Sequence, residues 1–126
     1  MKTSDIAKEI VREVLSEEQL DKRISEIANQ IDKDYEGKDL LLLGVLNGAI
    51  MVMADLARHL KRNVEMDWMA ASSYGHGTAS SGVVRILKDL DQDIEGRNVL
   101  IVEDILDTGL TLSWLKNNLI SRGPAS

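Results

Sequence analysis

Apolar residues recur along this chain with two periods, and each predicts a different kind of element. Leu20, Ile24, Ile27, Ala28, Ile31 and Tyr35 follow the spacing of one helix face. Ser16 followed by Gln19 is a capping-box pattern at the start of that helix, and Gly37 is a stop signal at its end. Just before it, residues 10–15 read as a short strand or an extended arm. The aliphatic run from Leu40 to Val45 predicts a central strand with both faces buried. A helix is expected to follow from about Ala49 to Leu60, with Val52, Met53, Leu56 and Leu60 inward. Val64, Met66, Trp68 and Ala70 then alternate with Glu65, Asp67 and Met69, which is the period of a strand. Trp68 is read there as a packed core ring.

Residues 72–82 carry no hydrophobic period and hold Gly75, Gly77 and Gly82 among Ser, Thr and Ala. They predict a flexible loop, acting either as a lid or as a plain hairpin connection. Residues 83–87 return as a strand. Asp89, Asp91, Asp93 and Glu95 read as a solvated turn, and Gly96-Arg97-Asn98 turns into a further strand over residues 99–103. The last helix is expected over residues 111–121, with Leu112, Leu115 and Leu119 facing the sheet. Strands alternating with helices predict an α/β fold, a Rossmann-like parallel sheet covered on both faces. The strands at 40–45 and 99–103 should be neighbours at its centre.

Length and composition narrow the function classes. The 126 residues suffice for one small α/β domain, and 44% hydrophobic content argues against disorder. A net charge of −6 without a basic cluster argues against a nucleic-acid partner. The absence of cysteine excludes a disulfide, a cysteine nucleophile and a zinc–thiolate site, and it fits a cytoplasmic protein. The N-terminal segment has no signal-peptide core, and the most apolar window is too short and broken to span a bilayer, so no membrane partner is expected.

The chemistry concentrates in residues 99–111. Val99-Leu100-Ile101-Val102 ends abruptly in Glu103 and Asp104, and Asp107-Thr108-Gly109 follows just before a helical pattern. A buried strand thus delivers carboxylates and a small-residue turn to one end of a sheet. Thr108, Gly109 and Thr111 leave room for backbone N–H groups to approach an anion at a helix start. Carboxylates beside an anion cradle make sense if a sugar with two hydroxyls and a divalent cation lie between them. Read structurally instead, Glu103 and Asp104 are strand-end caps and Asp107 is the N-cap of the last helix.

This string resembles the phosphoribosyl-pyrophosphate signature of type I phosphoribosyltransferases, in the form carried by the hypoxanthine (hypoxanthine–guanine) phosphoribosyltransferases. Three other segments agree in order. Residues 42–49, Leu-Leu-Gly-Val-Leu-Asn-Gly-Ala, resemble the family's pyrophosphate turn. Ser72-Ser73-Tyr74-Gly75 resembles the start of its catalytic loop, and residues 81–90 resemble the strand after that loop. The resemblance covers about residue 9 to the last residue, and it implies that residues 1–126 are a single phosphoribosyltransferase domain.

The resemblance further implies a purine-salvage transfer from phosphoribosyl pyrophosphate to a 6-oxopurine, with Mg2+. Asp107, Thr108, Gly109, Leu110 and Thr111 would bind the 5-phosphate, and Asp107 would be the catalytic acid/base at purine N7. Glu103 and Asp104 would face the ribose hydroxyls and the metal. Leu46, Asn47 and Gly48 would bind pyrophosphate through backbone N–H groups, although Asn47 lacks the positive charge often found there. Ser73 and Tyr74 would close over the reacting centre. In the family the chain continues beyond the point matching Ser126 into a purine-recognising segment, so a truncated, purine-blind chain with an exposed strand edge and a tendency to form homo-oligomers is expected. Two other readings stay open at this point: a phosphoribosyltransferase-like regulator of the RNA-binding kind, and an interaction domain without turnover.

Overall fold

Residues 40–45 are all aliphatic except for Gly44, and such a run is stable only where both faces of a strand are covered. β1 (Leu41–Val45) is buried along its whole length. Its side chains alternate between two clusters. Leu42 packs with Ala28, Ile31, Met53 and Leu56, whereas Leu41, Leu43 and Val45 pack with Met69, Ile94, Leu115 and Leu119. α1 (Glu17–Asp34) and α2 (Ala49–His59) therefore cover one face, and α3 (Leu110–Ile120) covers the other. The computed structural model describes residues 2–7, 9–74 and 83–126. The expected flexible loop falls largely on residues 75–82, outside the described residues.

The sheet has the order β3-β2-β1-β4, with β2 (Glu65–Tyr74), β3 (Val83–Lys88) and β4 (Val99–Val102). β1 runs parallel to both β2 and β4, but β3 is antiparallel to β2. The expected parallel sheet is therefore present, with β3 as its one antiparallel strand among the described residues. The link from Tyr74 to Val83 is shorter than the dozen or so residues a parallel crossover needs, so the two strands turn back on each other. β4 neighbours β1 as expected, but it stands at the edge of the sheet rather than at its centre. At its start Val99 N–H donates to Ser126 O (3.0 Å), and Ala125 N–H donates to Arg97 O (2.8 Å).

The capping box forms as predicted: Gln19 N–H donates to Ser16 Oγ (3.1 Å) and Ser16 N–H to Gln19 Oε1 (2.8 Å). Gly37 takes φ +73° just after the helix. The buried face of α1 is narrower than its pattern suggests. Ala28 and Ile31 are buried, whereas Leu20 and Ile27 are 48% and 40% exposed. Ile27 instead lines an apolar groove of about 270 Å³ with Ile24, Val52 and Leu100. Residues 10–15 form no strand; Val11, Val14 and Leu15 point into solvent.

β2 departs from simple alternation because it is an interior strand. Met69 is buried on the face assigned to polar residues, Trp68 packs into the first cluster, and Met66 is exposed. Asp67 is buried too, and it accepts N–H groups from Trp68, Asp91 and Gln92 at 2.8, 3.0 and 3.1 Å. That carboxylate ties β2 to the turn after β3, satisfying a buried charge with backbone donors. Among the described residues no helix is long and apolar enough to cross a membrane.

Candidate active site

Parallel pairing of Leu41–Gly44 with Val99–Val102 makes β1 and β4 end side by side. The turn at residues 46–48 follows one strand and the turn at residues 103–109 follows the other. Each leads into a helix, with Gly48 as the N-cap of α2 and Gly109 as the N-cap of α3. Two helix N-termini, with their positive dipole ends, thus share one end of the sheet. The Leu46–Asn47 peptide is cis, and Leu46 N–H donates to Met69 O (2.8 Å).

The two turns touch. The Asp104 carboxylate packs directly against Gly48: a Cβ placed on Gly48 would lie 2.7 Å from Asp104 Cγ and closer still to both oxygens. Asp104 N–H donates to Glu103 Oε1 (2.9 Å). Partial burial, reinforced by a hydrogen bond and repulsion from the Asp104 carboxyl, pushes the Glu103 carboxyl above its ordinary value. Adjacent carboxylates held this way supply hard oxygen donors of the kind Mg2+ takes. Among the described residues no group of three or more His, Asp, Glu or Cys side chains gathers to hold a metal ion, at this end of the sheet or elsewhere.

The second turn opens α3. Gly109 has φ +77°, a left-handed conformation that favours glycine, and Ser113 N–H donates to its carbonyl (2.8 Å). Asp107 Oδ1 accepts from Gly109 N–H and Thr108 Oγ1 from Leu110 N–H, both at 3.4 Å. Asp107 is therefore not the N-cap. The left-handed glycine delays the helix start, and among the described residues the exposed Asp107 carboxyl keeps one long contact. Thr111 lies half-buried in the first turn of α3. Ser73 and Tyr74 end β2, paired with Val84 and Val83, and β2 is parallel to β1, so their backbone reaches the same end of the sheet.

The fold brings the predicted residues to one end and joins Gly48 to Asp104 directly. That contact had no sequence signal, because the two lie on different strand–helix units. A cavity of about 520 Å³ sits at the opposite end, between Asp32, Lys33, Glu36 and Arg62. Its most enclosed cation is already engaged, since Arg62 donates to Asp32 Oδ1, Tyr35 O and Lys38 O at 3.2, 2.6 and 2.9 Å. The residues predicted from the sequence gather instead at the carboxyl ends of the strands, the place where open α/β sheets bind their ligands.

Comparison with known proteins agrees with this geometry. The family described as the phosphoribosyl transferase domain matches residues 11–126. A hypoxanthine-guanine phosphoribosyltransferase of Mycobacterium tuberculosis is 56% identical over 119 residues, which cover 90% of this chain and 59% of that protein. A hypoxanthine phosphoribosyltransferase of Staphylococcus aureus superposes with a TM-score of 0.93 at 40% identity, covering 100% of this chain and 68% of the other. One from Trypanosoma cruzi, in complex with the product IMP, superposes at 0.80 with 45% identity, covering 88% of this chain and 64% of the other. The chain thus spans 59% of the length of the mycobacterial relative.

Proposed function

Because the chain belongs to the phosphoribosyl transferase domain family, we propose that it binds phosphoribosyl pyrophosphate for purine salvage, the ribosyl phosphate passing to hypoxanthine or guanine. The observation that carries this reading is the joining of two helix-opening turns at adjacent parallel strand ends, with a carboxylate of one packed on the glycine of the other. One turn suits each end of the substrate. Backbone N–H groups at residues 107–111 and the Thr108 and Thr111 hydroxyls take the 5-phosphate, favoured by the α3 dipole by about 0.3–1 kcal/mol when exposed. Residues Leu46, Asn47 and Gly48 take the pyrophosphate at the α2 N-terminus.

In the transfer the bond from ribose C1 to pyrophosphate breaks and a bond from C1 to the purine nitrogen forms. Positive charge develops on the ribose ring. Glu103 and Asp104 orient the ribose hydroxyls and offer their negative charge nearby. They would also hold Mg2+, which supplies neutralising charge to the leaving pyrophosphate when bound. Asp107 stands exposed beside this end and serves as the group that holds or accepts a proton at purine N7. Ser73 and Tyr74 belong to the segment that covers the reacting atoms and excludes water. A cytosolic homo-oligomer is the natural state of such an enzyme.

Calorimetric titration with phosphoribosyl pyrophosphate and Mg2+ tests the reading. One saturable site is expected, displaced by ribose 5-phosphate and weakened when Mg2+ is removed with a chelator. Failure to bind at millimolar ligand would contradict it.

A further inference from the structure

Gly48 has φ −59° and ψ −38°, a right-handed helical conformation that any L-residue adopts without strain. Backbone freedom therefore does not explain a glycine here. Space does: both oxygens of Asp104 occupy the volume a Cβ would fill. The neighbour is the carboxylate itself, so a Cβ at position 48 is accommodated only if that carboxylate moves. We propose that Gly48 is a positioning residue that seats the Asp104 carboxylate at the α2 N-terminus. This rests on the reading that Asp104 faces the ribose and its metal.

The seat has a chemical consequence. The positive end of the α2 dipole lies under the carboxylate, partly offsetting the cost of crowding Asp104 beside Glu103. It also fixes the distance between the pyrophosphate turn and the ribose-facing acids, which the sheet alone sets only through backbone pairing. A methyl group at position 48 pushes the carboxylate off this seat while leaving the α3 turn untouched.

A double-mutant cycle with Gly48→Ala and Asp104→Ala tests this, since Asp104→Ala removes the clash. Gly48→Ala alone is expected to weaken binding of Mg2+ with phosphoribosyl pyrophosphate by about 10–100-fold, the usual effect of losing a group that orients a ligating residue. In the Asp104→Ala background the same change should cost less than about threefold, because the two residues act as one unit. Inorganic phosphate, followed through the Gly109 and Thr111 amide resonances, should titrate identically in Gly48→Ala and the unaltered chain, which general damage to the fold would not allow. Thermal melting should show Gly48→Ala destabilised and the double variant restored. Equal loss of substrate affinity in both backgrounds would overturn the proposal, since Gly48 would then act through its own backbone. Failure of the unaltered chain to bind the substrate would instead overturn the functional reading, and this proposal with it.

Discussion

Glu103 gives the site a pH signature. Its carboxyl titrates above its ordinary value of 4.5 because burial and the Asp104 carboxyl disfavour its ionised form. An acid with a raised folded value destabilises the fold once ionised. This contribution is most favourable below 4.5, declines as pH climbs from 4.5 to the raised value, and stays unfavourable above it. Glu103→Gln should therefore stabilise the chain at pH 7, by no more than about 1 kcal/mol for solvent-screened charges, while weakening Mg2+-dependent substrate binding. Urea unfolding at pH 7 and pH 4 reads it; an equal effect at both values would remove the charge explanation. Asp107 carries a second prediction. In a full-length relative altered at the matching aspartate, Asp→Asn should lower turnover about 10²–10⁴-fold with little loss of phosphoribosyl-pyrophosphate affinity. Steady-state kinetics separates the two, and near-normal turnover would dismiss the proton role. These acids were legible because they interrupt an aliphatic strand. The need for glycine at 48 was not, because only the folded chain brings Asp104 against it.

At the scale of elements, the patterns that worked were those set by local physics. Capping chemistry marked the start of α1, and an unbroken aliphatic run marked β1. Ser16→Ala should cost about 1 kcal/mol, measured by thermal or urea unfolding; no change would mean that the cap is redundant. Gly44 was read as part of the strand, yet a Cβ there would sit 2.6 Å from Trp68 Cε3. What failed depended on partners far along the chain. The β2 alternation carried no sign that Asp67 is buried, because its pairing with Leu43 of β1 and the backbone donors from the turn after β3 come from distant parts of the chain. Asp89 shows another distant partnership. Arg122 donates to both of its oxygens, at 2.8 and 3.0 Å, tying the end of α3 to the end of β3, and this hydrogen bonding holds the Asp89 carboxyl below its ordinary value of 3.8. The sign is opposite to that of Glu103. The pair stabilises the fold above 3.8, and its contribution disappears as pH falls through the lowered value. Arg122→Ala should therefore destabilise the chain at pH 6 and have less effect near pH 2.

The whole molecule gathers the proposed site residues at one end of the sheet and leaves an edge strand at one side. Among the described residues β4 pairs within the sheet with β1 alone, and an apolar groove of about 200 Å³ lined by Ile101, Leu119 and Pro124 runs beside it. Ser126 engages this edge only at Val99, and a strand edge left open beyond it and flanked by apolar surface favours association, so sedimentation of this chain should show species larger than the monomer as concentration rises. The central claim is narrower: the turns at residues 46–48 and 107–111 form one substrate site. Amide resonances followed during titration with phosphoribosyl pyrophosphate and Mg2+ test it most directly. The account predicts that Asn47, Gly48, Gly109 and Thr111 all shift along one saturation curve with a single dissociation constant. Response of one turn while the other stays still would contradict it.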